Sequence, residues 1–127
     1  MRPPFVYSPP TYPILVLHET DTVLFVDKPA GLLSVPGRLE EHKDCLLTRL
    51  EAQNSNIRLI HRLDMDTSGV MVFAKTDQAQ RELNRQFERR HVQKTYLAEV
   101  TGQIVESGTV DLPLIRDWPN RPLQKVD

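Results

Sequence analysis

The run GVMVFAK, residues 69–75, restricts the fold more than any other stretch. It is apolar, rich in β-branched side chains and opened by a glycine, which suits a pleated strand. Two similar runs, ILVLH from Ile14 and VLFVDKP from Val23, are separated only by ETDT and predict an antiparallel hairpin. The chain is therefore expected to build on a sheet. Ahead of these strands, five of the ten prolines fall at positions 3, 4, 9, 10 and 13. Proline lacks the backbone donor that a helix or central strand needs, so residues 1–13 read as an extended arm.

Helices are expected at two places. Asp44 is a candidate N-cap for a helix reaching about Gln53, with Leu46, Leu47 and Leu50 on one face. Thr76 and Asp77 are cap candidates for a helix of about Gln78 to Arg90, in which Ala79, Leu83 and Phe87 recur every four residues. Arg81, Arg85 and Arg89 repeat two positions later, about 200° round the helix, and so face away from the core. Between these elements KPAGLLSVPG is too punctuated by proline and glycine for a long strand and reads as an ordered loop. Downstream, VQKTYLAEVTG alternates as a strand does, and the last twenty residues offer one short strand.

Composition excludes several classes. No window approaches the roughly 18 consecutive apolar residues of a membrane span, and the start MRPPFVYSPP has no apolar signal core, so a soluble cytoplasmic protein is expected. Cys45 is the single cysteine, and no CxxC or HExxH string suggests a zinc site; neither metal nor cofactor is expected. Sixteen basic side chains against seventeen acidic ones leave the net charge at −1, which does not speak for or against nucleic acid. The segment from Arg81 to Lys94 differs: Arg81, Arg85, Arg89, Arg90 and Lys94 stand against Glu82 and Glu88 alone. Such a stripe suits phosphates, and equally suits a solvated helix face.

Functional residue types concentrate in HRLDMDTSG, residues 61–69. An aspartic protease would need Asp, Thr or Ser, then Gly in succession, and here one residue too many intervenes. A serine hydrolase would need Ser68 in a GxSxG elbow, which DTSGV does not supply. Asp64 and Asp66 could act as paired acid and base, although Asp66 taken alone reads first as forming an Asx turn or capping the loop. His61 reads as a hydrogen-bonding core residue.

The string HRLDMDTSGVMVFAK closely resembles the signature of the RluA-type pseudouridine synthases. VDKPAGLLSVPG resembles that family's KPxG loop, KTYLAEVTG its K-x-Y strand motif, and GRLEEHKD and DLPLIRDWPNRP its dual-specificity branch. The resemblance runs in order over about residues 14–127. It implies an α+β fold: a mixed, mainly antiparallel sheet with packed helices, here the incomplete N-terminal part of a catalytic domain. It also implies isomerisation of uridine to pseudouridine in rRNA or tRNA stem-loops, without cofactor or metal. Asp64 matches the catalytic aspartate, which attacks C1′ of the ribose or abstracts a ribose proton, a role expected to need an ionised carboxylate in a water-poor pocket. Arg62 matches the arginine that holds the RNA around a flipped nucleotide. Tyr96 matches the tyrosine that stacks on the uracil. A GRxHQLR-like motif that continues the family pattern and supplies a basic partner for the aspartate does not occur here. The alternative expectation is therefore an RNA-binding fragment without turnover, one that self-associates through exposed sheet edges.

Overall fold

A computed structural model describes residues 5–120 and 123–127. Residues 1–94 and 95–127 form two compact units.

Among the described residues the first unit is built on four strands, β1 (Leu15–Glu19), β2 (Val23–Lys28), β3 (Arg58–Leu59) and β4 (Gly69–Ala74), in the order β1-β2-β4-β3 and all paired antiparallel. Strands β1 and β2 form the expected hairpin. Its turn is closed by Thr20, whose hydroxyl accepts from the amides of Thr22 and Val23. The register between β1 and β2 shifts between Val16 and His18, a bulge at the sheet edge. In β2 the burial alternates with period two and places Leu24, Val26 and Lys28 on the core face. Strand β4 pairs β2 along its whole length, while β3 pairs only two residues at its far end. From Met71 to Ala74 every residue of β4 is buried, so both faces are covered. That explains why GVMVFAK reads as a continuous apolar run and not an alternating one.

Helix α1 (Leu46–Glu51) delivers Leu46 and Leu50 to a core shared with Leu24, Val26, Leu32, Ile57, Met71 and Phe73. Its cap is Cys45, one residue later than the Asp44 expected from sequence. The Cys45 thiol accepts from the Thr48 amide, and the Thr48 hydroxyl accepts from the Cys45 amide, a capping box made with sulfur. Asp44 instead binds Arg49 through both carboxylate oxygens at 2.8 and 2.9 Å, and that guanidinium holds its carboxyl below the usual range. Arg49 also reaches the Pro10 carbonyl at 2.7 Å, fastening the proline-rich segment. The described part of that segment, residues 5–13, contains neither helix nor strand; positions 1–4 of the expected arm lie outside the described residues.

Helix α2 (Asp77–Glu88) is capped by Thr76, whose hydroxyl accepts from the Ala79 amide. It packs against β4 with Ala79, Leu83 and Phe87 half-buried, while Arg81, Arg85 and Arg89 are exposed, as the periodicity predicts.

The second unit differs from the sequence expectation at two points. VQKTYLAEVTG forms no strand: residues 93–100 carry no regular secondary structure, and Tyr96, Leu97 and Val100 are exposed. Alternation sorts side chains to two faces but supplies no hydrogen-bonding neighbour, and none pairs with it among the described residues. Among its described residues the C-terminal stretch holds two strands, not one: β5 (Leu114–Arg116) and β6 (Gln124–Val126) pair antiparallel.

Candidate active site

The HRLDMDTSG segment links β3 to β4, and its backbone is pinned on both sides of Asp64. On one side, the Ser34 hydroxyl donates to the Leu63 carbonyl at 2.6 Å and accepts from the Leu63 amide at 3.1 Å. On the other, the Met65 carbonyl accepts from the Gly31 amide at 2.8 Å and from the Lys28 ammonium at 3.0 Å. Asp64 is thus the exposed residue between two anchored ones, and its carbonyl closes a turn by accepting from the Thr67 amide at 3.0 Å. The turn is a backbone one. Asp66 sits exposed within it, and no side-chain bond of the Asx type is found for it among the described residues.

All the anchors come from the KPAGLLSVPG loop. Gly31 has φ of +89°, a conformation a side chain resists, and this aims its amide at Met65. Lys28 is fully buried, and its three ammonium protons meet three carbonyls, those of Pro29 at 2.9 Å, Leu32 at 2.6 Å and Met65. Burial pushes its pKa down, and the neighbouring carboxylates of Asp66 and Asp64 oppose that shift by favouring the charged ammonium. Two of the sequence segments that carry the family resemblance are therefore one structural unit, stitched by a lysine, a glycine and a serine.

The water-poor pocket expected around Asp64 is not formed by the described residues. Its side chain is exposed, as is that of Arg62, because the alternation of residues 61–66 turns His61, Leu63 and Met65 inward and the even-numbered residues outward. His61 is half-buried and accepts from the Val72 amide at Nε2, 3.1 Å away, which ties the start of the loop to β4. Its ring stacks on Phe87 of α2 at 4.6 Å, and Lys94 lies over the same Phe87 ring at 5.5 Å. Burial, with a lesser push from the Lys94 charge, lowers the His61 pKa from its ordinary value and so favours the neutral ring.

The cationic residues expected on α2 divide by partner. Arg85 is engaged by Glu82, and Arg81 lies with Arg85, Glu82 and Gln78 around a shallow open groove on the helix surface. Arg89 and Arg90 are exposed at the helix end, where positive charge also suits the helix dipole. Tyr96 belongs to the second unit and is exposed there. Sequence reasoning missed Lys28 and Ser34. The signal for Lys28 was present: period-two counting from Leu24 and Val26 places it on the core face, where a lysine needs a dedicated set of acceptors. For Ser34 no comparable signal exists.

Comparison with known proteins bears on this loop directly. The family described as RNA pseudouridylate synthase matches residues 22–127, which include both the KPAGLLSVPG loop and HRLDMDTSG. A protein of Vibrio vulnificus named Dual-specificity RNA pseudouridine synthase RluA is 54% identical over 122 residues, covering 94% of this chain and 49% of its own length. Proteins of the same name from Escherichia coli and Salmonella typhi are 54% and 52% identical, each with 56% of its length covered. The chain spans about half the length of the curated relatives it matches. A solved structure titled Human RNA Pseudouridylate Synthase Domain Containing 4 is 27% identical with a TM-score of 0.47, over 61% of this chain and 30% of that one. With the matched span containing the anchored aspartate loop and its supporting lysine loop, the chain belongs to the RluA-type RNA pseudouridine synthase family.

Proposed function

We propose that the protein isomerises specific uridines to pseudouridine in structured RNA, an rRNA or tRNA stem-loop, with Asp64 as nucleophile. The carboxylate bonds to C1′ of the target nucleotide as the N1–C1′ bond breaks; the freed base turns, C5 bonds to C1′ and the carboxylate leaves. The C5 proton is lost and N1 is protonated. Arg62, exposed two residues from Asp64, would hold the backbone around the flipped nucleotide, and Tyr96 would stack on the uracil. Arg81, Arg85, Arg89, Arg90 and Lys94 would meet phosphates.

The observation that carries this reading is the double anchoring of the loop around Asp64. An exposed carboxylate on a backbone fixed at both neighbouring residues is held for attack on something that arrives from outside. The test is Asp64→Asn in the full-length protein, assayed by tritium release from RNA carrying C5-labelled uridine. The amide keeps the shape and removes the nucleophile, so turnover is expected to vanish with RNA affinity within a few-fold. Residual activity within tenfold of wild type would remove Asp64 from this role.

A second reading, RNA binding by these 127 residues without turnover, is favoured by one observation. Among the described residues no cation forms an ion pair with Asp64. Tritium release by the 127-residue chain alone would eliminate it.

A further inference from the structure

We infer that Ser34 is a positioning residue for Asp64, holding the nucleophile's backbone through a two-way hydrogen bond to Leu63; the inference rests on the reading of Asp64 given above. Ser34 is 3% exposed, and its Oγ both donates to and accepts from the backbone of the residue preceding Asp64. A hydroxyl does both with one atom. The same oxygen lies 3.5 Å from the Met71 sulfur in the core.

The serine is itself held in place. Its carbonyl accepts from the Leu47 amide in the first turn of α1. Leu33, just before it, is fixed at both ends: its carbonyl accepts from Leu46, and its amide donates to the Tyr7 hydroxyl at 3.0 Å. Tyr7 in turn donates to the Asp44 carbonyl at 2.7 Å. A continuous path of hydrogen bonds therefore runs from the proline-rich segment and α1 through Ser34 to the backbone beside Asp64. Lys28 and Gly31 hold Met65 independently, so loss of the Ser34 link would free one shoulder of Asp64 and leave the other fixed. The loop would tilt and not unfold. Misplacement of a reacting group by about 1 Å costs on the order of a hundredfold in rate, while binding of RNA elsewhere is untouched.

The experiment uses the full-length protein and three variants, Ser34→Ala, Ser34→Cys and, as a core control that takes no part in the hydrogen bonds of the loop, Ile57→Val. Initial rates of tritium release from C5-labelled RNA give kcat and KM; melting gives Tm; hydrogen exchange by NMR reports the Leu63 amide. Ser34→Ala is expected to lower kcat at least tenfold with KM within threefold, to speed exchange at Leu63, and to lose more activity per degree of Tm than Ile57→Val. If Ser34→Ala does not fold, Ser34→Cys, nearly the same shape with weaker bonding, carries the same comparison. A kcat within threefold of wild type, an unchanged Leu63 exchange rate, or an activity loss no larger than that of a control of equal Tm would overturn the positioning role. Those outcomes leave the proposed activity standing as long as the wild type turns over and Asp64→Asn does not. No release by the wild-type protein would overturn both.

Discussion

His61 shows how a single residue in this loop couples charge to structure. Its Nε2 accepts from the Val72 amide, so that nitrogen must be unprotonated, and the proton of the neutral ring sits on Nδ1. Protonating the ring would set two donors against each other and place a cation near Lys94 in a half-buried site. The folded pKa lies below 6.5, so between that value and 6.5 the unfolded chain binds more protons than the folded one. Stability contributed by the neutral ring is complete above 6.5 and is lost as pH falls through the folded pKa. Denaturant titrations across this window are expected to show a drop toward acid that is shallower in His61→Gln, whose amide oxygen still accepts from Val72 but does not titrate. Equal slopes for the two proteins would mean that His61 is not the titrating group. At this scale the sequence was partly legible. HRLD marks Asp64 by resemblance, and the period of two marks Lys28, but the partner of a serine hydroxyl depends on a loop 29 residues away and leaves no local trace.

Helix α2 carries its information at the scale of the element. Its apolar period and Thr76 cap were legible because both are local. Its end, expected at about Arg90, comes at Glu88 with Arg89 as cap, although no glycine marks the stop as one usually does. Here Arg90 takes φ of +56° while its amide bonds to the Phe87 carbonyl and that of His91 to the Gln86 carbonyl, a Schellman arrangement built on arginine. The strain of about 1–2 kcal/mol for a residue with a side chain is tolerated, and it leaves two cations at the helix end. Whether the stripe meets phosphate is read from salt. Each phosphate contact contributes about 0.7 to 0.9 to the slope of log affinity against log salt. Arg81→Gln and Arg89→Gln are each expected to reduce that slope for stem-loop RNA by about this amount. Arg85→Gln should reduce it less, because Glu82 already engages Arg85 in the free protein. Slopes unchanged in all three would make the stripe an ordinary solvated face.

Across the whole molecule, order and burial are unevenly divided. Among the described residues every buried one lies within 5–94 and none within 95–127, where Leu97, Val105 and Val110 are almost fully exposed. Three strands of the first unit's sheet were legible, since β1, β2 and β4 carry long apolar patterns that agree with their partners, whereas β3, two residues paired to the end of β4, is too short to show a period. The alternation at Tyr96, Ala98 and Val100 specifies two faces equally well, yet a ladder needs a second strand, and that requirement lies outside the pattern of the segment itself. Amide exchange on the 127-residue chain makes this measurable. The β2–β4 amides of residues 24–28 and 70–74 should exchange only through rare opening, while those of 95–113 should exchange close to the rates of an unstructured peptide. Exposed apolar side chains of this density also favour association, so light scattering should give a mass above that of the monomer that falls on dilution. Strong protection at 95–100 in a dilute, monomeric sample would show that the segment finds a strand partner within the chain. Protection that appears only as the mass rises would place that partner in a second copy.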